Sequence, residues 1–181
     1  MKKHLNQKRD DSRLSPTIAE IDLLDTIRLI QSQFTSDESP LMFYDKLLSH
    51  LIKTSQSEFG FIGDILYTDA GDPYFKMRAV TNIAWNRESR KYFAENSPSG
   101  LDFFNLKNLF GAVLTTGKSV LTNDPANDAR RGGMPLGHPF LESFLGLPLF
   151  HEGKLIGMVG MANRKGGYDE SLAKNLEPLF T

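Results

Sequence analysis

The sequence contains no cysteine in its 181 residues. This absence excludes disulfide bonds, thiolate metal sites, cysteine nucleophiles and thioether-linked chromophores. No apolar run approaches the roughly 18 residues that a membrane-spanning helix needs. The basic N-terminus, MKKHLNQKRDDSR, is not followed by the apolar stretch of a signal peptide. We therefore expect a cytoplasmic protein that does not insert into a membrane.

An excess of charge of either sign is also missing. The formal net charge is −1, with 24% charged and 40% hydrophobic residues, which is an ordinary globular composition. Such a balance gives no general attraction to nucleic acid. The small basic cluster of Arg87, Arg90 and Lys91 is offset by Glu88 and Glu95. We expect no nucleic-acid partner.

Motifs for catalysis and for metal binding are not found in the sequence. GAVLTTGKS has five residues between Gly111 and Gly117, whereas a phosphate-binding loop has four. A helix also precedes the Gly-Lys-Ser, so Gly117 is interpreted as a helix C-cap. The histidines are scattered, without a second ligand at suitable spacing. The sequence therefore predicts neither an enzyme nor a metal site.

The N-terminal third is predicted to be helical. Residues 1–14 are charged and aperiodic, which indicates a flexible arm. Residues 15–36 are predicted to form a linker or dimerisation helix that begins at Ser15-Pro16. Its narrow apolar stripe either packs on its own domain or forms a seam with a second copy. The stripe consists of Leu23, Ile27, Ile30 and Phe34. Pro40 opens a second helix.

The order of the remaining elements predicts an α+β or mixed three-layer domain. Apolar runs on either side of TDAGDP predict a β-hairpin, and SFLGLPLF-HEGK-LIGMVGMANR predicts another. Between them we expect a short helix at NRESRKYFAEN, then a helix ending at Gly117 and a strand. A last helix starts near Asp169. Strands adjacent in sequence pair antiparallel, so a doubly wound parallel sheet is excluded.

The segment NDPANDARRGGMPLGH, residues 123–138, is polar and has almost nothing to bury. Long loops in compact domains are uncommon and often functional. Arg130 and Arg131 beside glycine amides suit an anion such as a phosphate or carboxylate. Alternatively, Asp128 pairs with an arginine and merely holds the loop. The sequence leaves both interpretations open.

Three segments of the chain together carry a family resemblance: LFGAVLTTGKSVLTND, NDARRGGMPLGHP and SFLGLPLFHEGKLIGMVGMANRKGGYDE. Through these segments, residues 37–181 resemble a GAF domain, the small-molecule-sensing module of signalling proteins. The resemblance is strongest to GAF domains of bacterial sensor histidine kinases and diguanylate cyclases. Asn163, Arg164, Tyr168, Asp169 and Glu170 also resemble the Asn-Lys…Phe…Asp-Glu signature of cyclic-nucleotide-binding members. Arg164 replaces the lysine, and the spacer before Asp-Glu is shorter.

The resemblance implies a PAS-related fold, with a central six-stranded antiparallel sheet, flanking helices and an N-terminal signalling helix. It implies a pocket on one side of the sheet, closed by segments spanning Trp85 to Pro139. Trp85, Phe104 and Phe110 would form an apolar floor. The loop would cover the pocket, with its arginines contacting an anion. The full set of ligand-binding candidates is Trp85, Phe104, Phe110, Asp128, Arg130, Arg131, His138 and Asn163.

The resemblance further implies a regulatory domain of a bacterial signal-transduction protein, such as a two-component system. Ligand state would pass through the terminal helices of a homodimer to an output kinase or cyclase domain. Because the chain stops at Thr181 within an element, we expect a truncated C-terminal helix and an excised fragment. The ligand is an unknown small molecule. Bilin-binding members and free methionine sulfoxide reductases of this fold need cysteines, so we expect neither a covalent bilin nor an enzyme. The alternative is a ligand-free dimerisation scaffold.

Overall fold

A computed structural model describes residues 18–32, 39–81, 100–134 and 138–180. The helices in these ranges are α1 (Ile18–Ser32), α2 (Pro40–Ser55), α3 (Leu109–Thr116) and α4 (Glu170–Leu176), followed by a 3-10 turn, Glu177–Leu179. The strands are β1 (Phe59–Tyr67), β2 (Pro73–Val80), β3 (Leu101–Phe103), β4 (Val120–Thr122), β5 (Phe144–His151) and β6 (Lys154–Ala162). Within the described part, no helix has both the length and the apolarity to cross a bilayer.

Local capping chemistry sets the bounds of the helices. α2 begins where the Ser39 side chain accepts a hydrogen bond from the Met42 amide, with Pro40 in the first turn. α3 begins at the Asn108 cap and ends at Gly117, which has the left-handed φ of 63°. The predicted helix start at Pro40 and the predicted cap at Gly117 are confirmed. A helix therefore precedes the Gly-Lys-Ser, as expected, and no phosphate-binding loop is formed.

The strands form one six-stranded antiparallel sheet in the order β3-β2-β1-β6-β5-β4. Both predicted hairpins are present, because β1 pairs with β2 and β5 pairs with β6. The tight turn of the second hairpin places Glu152 and Gly153 at φ 49° and 74°. Two left-handed turn residues match the right-handed twist of the strands they join.

Both faces of the sheet are covered by apolar side chains. Successive strand residues point to opposite sides of a sheet, so each strand contributes to both faces. One face packs against α2 and α4. The fully buried side chains between this face and the helices include Leu48 and Leu51 of α2 and Leu145, Leu147, Val159 and Met161 of the sheet. The other face packs against α3, with Phe75, Val113, Phe144 and Met158 buried. Replacing such a buried leucine by alanine costs about 2–5 kcal/mol. The α3 face of the sheet also holds a cavity.

The predicted helix over 15–36 is present over Ile18–Ser32. Thr26 is buried, and Leu29 and Ile30 pack against the domain's own core. Leu24 and Ile27 are exposed, at 53% and 37%. The stripe is therefore divided: Ile30 packs on its own domain, and Ile27 remains available for a second copy. The side chain of Leu23, all of Phe34, the arm over 1–14 and the helix expected over 86–96 lie outside the described residues.

Candidate ligand-binding site

A cavity of about 520 Å³ lies between the α3 face of the sheet and the segment that follows β4. Its volume falls within the roughly 300–1,000 Å³ of small-ligand pockets. Phe140 lines the cavity although 73% of its surface is exposed, so it marks the mouth. Among the described residues, five further phenylalanines line the cavity: Phe59, Phe61, Phe103, Phe110 and Phe144.

Phe61 is the centre of the aromatic wall. Its ring centroid lies 6.0 Å from that of Phe110 and 6.5 Å from that of Phe144. A Cβ at Gly160 would lie 2.4 Å from the Phe61 ring. The glycine on β6 therefore lets the ring lie against the sheet, which leaves the space above it open.

Polar side chains are few among the described residues that line the cavity: Asn108, Arg131 and His138. Asn108 is occupied by its capping role, since its Oδ1 accepts from the Gly111 amide at 2.8 Å. The His138 ring packs edge-on against Phe59, with centroids 6.2 Å apart, and its Nδ1 lies 2.8 Å from the Pro139 carbonyl oxygen. Arg131 is the polar residue of this set with a permanent charge.

Asp128 and Arg130 form an ion pair that holds the loop. The hydrogen bonds from Arg130 keep the pKa of the Asp128 carboxyl well below its usual value. Arg130 Nη2 also donates to the Leu121 carbonyl oxygen at 3.4 Å. Neither residue lines the cavity. The two were predicted to orient and contact a ligand anion; the structure places them in the alternative arrangement, an internal pair.

Arg131 lies on the cavity side of the same loop. Its backbone amide donates to the Asp128 carbonyl oxygen at 3.0 Å, and its guanidinium Nη1 donates to the Ala126 carbonyl oxygen. Ala126 also lines the cavity. Gly132 follows at a point where a Cβ would meet the Asn108 Cβ at 2.6 Å. This close approach holds the loop against the N-terminal end of α3.

Phe104 was expected in the pocket floor, and the structure corrects this placement. Its side chain is 64% exposed and stacks on Tyr74, with centroids 5.0 Å apart. Because neighbouring strand residues alternate, the preceding Phe103 takes the inward position. Phe110 does line the cavity, as expected of its placement, and Trp85 lies outside the described residues.

Asn163 also lies outside the cavity lining, and its role is to fasten the cavity wall. It has a left-handed φ of 57°, which asparagine tolerates better than most residues. Its side chain donates to Glu58 Oε2 and to the Phe140 carbonyl oxygen, each at 2.9 Å, and accepts from the Glu142 amide at 2.8 Å. The segment beside the mouth is thereby tied to the end of β6.

Several lining residues were missed in the sequence although a signal for them exists. Phe59 and Phe61 alternate on β1, and Phe144 begins the second hairpin. Strand periodicity places Phe59 and Phe61 on one face. Metal ligands were not predicted, and the described residues contain no group of three His, Cys, Asp or Glu side chains suited to a metal ion.

A family model described as GAF domain matches residues 39–181. The chain belongs to the GAF domain family. Its six-stranded antiparallel sheet and flanking helices match those of GAF domains, and the family and fold predictions are confirmed.

Similar proteins include a sensor and an enzyme. A 73-residue segment is 32% identical to the methyl sulfide methyltransferase-associated sensor of Methanosarcina acetivorans; it covers 40% of this chain and 7% of that protein's length. The GAF domain from a Coxiella burnetii phosphoenolpyruvate-protein phosphotransferase superposes with a TM-score of 0.67 at 16% identity, covering 90% of both chains. Free methionine-R-sulfoxide reductase from Neisseria meningitidis, solved in complex with its substrate, gives 0.60 at 12% identity, covering 91% of this chain and 87% of its own. At these identities the two structures show the fold alone.

Proposed function

We propose that this GAF domain is a small-molecule-sensing regulatory domain of a signal-transduction protein. The observation that carries the proposal is the cavity of about 520 Å³ lined mainly by apolar side chains. An unfilled apolar space of this size costs stability, because its walls lose packing contacts. Small-ligand sites are typically concave, apolar and equipped with a few polar groups. The similarity to a sensor over part of the chain favours the same function.

Hydrogen bonds connect the cavity wall with the helices on the far side of the sheet. Asn163 holds the wall at the Phe140 carbonyl oxygen. The next residue, Arg164, donates from Nε to the Ser55 carbonyl oxygen, at the end of α2, at 3.1 Å. The Tyr168 hydroxyl lies 2.6 Å from Ser57 Oγ. These contacts supply a contiguous route by which a ligand could shift the population of helix arrangements.

Asn123 adds a second connection to the same turn. Its side chain accepts from the Tyr168 amide at 2.8 Å and donates to the Tyr168 carbonyl oxygen at 2.9 Å. Asp169 then caps α4 through the Leu172 amide. The loop that carries Arg131 therefore begins at a residue bonded to the start of the last helix. We propose that the terminal helices relay ligand state to an output kinase or cyclase domain of a longer polypeptide.

A regulatory role is preferred to catalysis on chemical grounds. GAF domains are mainly regulatory, but the fold also occurs in free methionine-R-sulfoxide reductase. The present chain has no cysteine, so thiol chemistry is closed to it. Two polar side chains of the described cavity lining, Asn108 and Arg131, are neither nucleophiles nor acid–base groups near neutral pH. The third, His138, could serve as an acid or base, but the described lining supplies no serine, threonine, lysine or carboxylate side chain to act with it. We therefore propose binding without turnover.

Native mass spectrometry of the purified chain tests the proposal. A retained mass of a few hundred daltons is expected for a small ligand. The variant Met77→Trp, which fills the cavity, should lose that mass, and Met42→Trp on the exposed side of α2 should keep it. A ligand retained equally by both variants would place binding elsewhere.

The alternative function is a ligand-free dimerisation scaffold. The exposed Leu24 and Ile27 on α1 favour it. It predicts a bare dimer in the same mass spectrum and no change in stability or helix pairing with any ligand. The sensing function predicts that a ligand changes either the stability of the protein or the pairing of its helices.

A further inference from the structure

The electrostatics of the cavity favour a negative ligand. None of the described lining residues is acidic, and Arg131 supplies a full positive charge. The N-terminal end of α3 meets the same wall at Asn108 and Leu109. The helix dipole places partial positive charge at that end. The Arg131 charge and the helix terminus therefore both favour a negatively charged ligand group.

The two adjacent arginines differ in what remains for a ligand. Arg130 donates hydrogen bonds from Nε and Nη2 to the Asp128 carboxylate. Arg131 makes one side-chain hydrogen bond, from Nη1 to the Ala126 carbonyl oxygen, and within the described ranges it has no carboxylate partner. A guanidinium carries five N–H donors in a planar fork. Arg131 thus retains donors suited to a two-point contact.

Backbone geometry fixes Arg131 at the cavity. Its amide bond to the Asp128 carbonyl oxygen closes a turn, and the Asp128–Arg130 ion pair stiffens that turn. On the other side, Gly132 packs against Asn108. Arg131 is therefore placed between two anchored residues, which reduces the entropy lost when a ligand binds.

Resting on the proposed sensing function, we propose that the ligand is an aromatic monocarboxylate whose carboxylate binds Arg131 and whose ring system lies against Phe61 and Phe110. The planar guanidinium matches the two oxygens of a carboxylate. One arginine, without an accompanying lysine in the described lining, balances one negative charge rather than the two of a phosphate monoester. Aromatic rings gain additional energy against other rings in offset or edge-on contact.

Titration calorimetry with 2-naphthoate and 2-naphthamide at pH 7 tests this assignment. The two probes share shape and aromatic area, and one carries the charge. Wild-type protein should bind 2-naphthoate at least about tenfold more tightly, which corresponds to about 1.4 kcal/mol. Arg131→Gln should bring the affinity ratio close to one while 2-naphthamide binding stays the same. Arg130→Gln, the matched control, should preserve the ratio even where loosening of the loop weakens both probes.

The contrary outcomes separate this inference from the proposed function. Equal binding of both probes to wild type, abolished by Met77→Trp, would overturn carboxylate recognition and leave a sensing cavity for neutral aromatic ligands. If the ratio of 2-naphthoate to 2-naphthamide affinity falls to about one in Arg130→Gln but not in Arg131→Gln, Arg130 binds the carboxylate and the assignment to Arg131 is wrong. Binding of neither probe, with a retained ligand in native mass spectrometry, would overturn the ligand class alone. Binding of neither probe to a bare protein would overturn both.

Discussion

Arg130 and Asp128 form a bidentate ion pair, in which Nε donates to Oδ1 at 2.9 Å and Nη2 donates to Oδ2 at 2.7 Å. The Arg130 backbone amide donates to the same Oδ1, at 2.9 Å. A carboxylate held by three donors is strongly favoured over its protonated form. Of the two interpretations that the sequence left open for Asp128, the structure therefore shows the internal ion pair.

Asp128→Asn is expected to lower the free energy of unfolding by about 1 kcal/mol at pH 7, because the ion pair lies near the surface and is screened by solvent. The lowered pKa gives this contribution a definite pH dependence. It is complete above the ordinary aspartate pKa and is lost as pH falls toward the lower, folded-state pKa. The stability difference from wild type should therefore narrow between pH 5 and pH 3.

Urea denaturation at both pH values measures that difference. Asp69→Asn, in the exposed turn between β1 and β2, is the control and should match wild type throughout. A difference between wild type and Asp128→Asn that is constant across this range would contradict the assigned coupling.

Tyr44 connects α2 to the sheet through Asp64. Its hydroxyl donates to Asp64 Oδ1 at 2.9 Å, while Arg78 Nε donates to Oδ2 at 2.7 Å. Burial and the Asp64 charge raise the pKa of Tyr44 to about 12. Tyr44→Phe should cost about 1 kcal/mol, the typical worth of one hydrogen bond. Because the folded pKa is raised, this contribution holds below pH 10 and is lost as pH rises from there toward 12.

Ultraviolet titration of tyrosinate and chemical denaturation check this prediction. Tyr44→Phe should remove a component that ionises near pH 12. Tyr67→Phe, at an exposed strand end, is the control in chemical denaturation and should leave stability unchanged. An unaltered high-pH component in Tyr44→Phe would show that the bond does not persist in solution.

The helix ends and the hairpins could be predicted because their causes are local. Ser39-Pro40 caps a helix with its own side chain, and Gly153 adopts a turn conformation that its sequence neighbours require. The pairing of β1 with β6 joins residues far apart in sequence. No local pattern predicts this pairing, and the family resemblance implied an antiparallel sheet of six strands without giving their order.

The site was harder to predict because it depends on which residues of a short strand point inward and on the geometry of an irregular loop. β3 spans three residues, Leu101–Phe103, which is too short a run for alternation to decide between Phe103 and Phe104. Arg130 and Arg131 are adjacent in an irregular segment, where no periodicity tells which one faces the cavity. Backbone hydrogen bonds within the loop decide it, and these have no sequence signature.

Gly132 and Gly133 form a matched pair for testing how the loop is seated. A Cβ at Gly132 would meet Asn108 at 2.6 Å, whereas one at Gly133 meets nothing within 4 Å. Gly132→Ala should displace the loop from α3, at a cost of about 1–3 kcal/mol in stability, as overpacking does. It should also weaken 2-naphthoate binding about fivefold or more, roughly 1 kcal/mol.

Gly133→Ala should leave stability within error of wild type, because its Cβ would meet no protein atom within 4 Å. Thermal denaturation and titration calorimetry on the two variants make the comparison. If both substitutions behave alike, the contact between Gly132 and Asn108 does not position Arg131.

The α1 seam yields the prediction that bears on assembly. Thr26 is buried, and Leu29 and Ile30 pack against the domain's own core. Among the α1 side chains that the structure describes, from Leu24 onward, Leu24 and Ile27 are the exposed large apolar ones. A parallel helix pair needs an apolar stripe that its own domain leaves uncovered. Ile27→Asp should convert a dimer to a monomer, because an aspartate in the seam would bury an unpaired charge.

Light scattering coupled to size-exclusion chromatography measures the mass of each species, and circular dichroism verifies that the variants are folded. Ile156→Asp, an exposed isoleucine on β6, is the matched control and should leave the dimer intact. A monomeric wild type, or a dimer that survives Ile27→Asp, would contradict the seam. In the latter case, Ile27 would be a surface residue whose exposure serves no assembly, and the scaffold function would lose the observation that favours it.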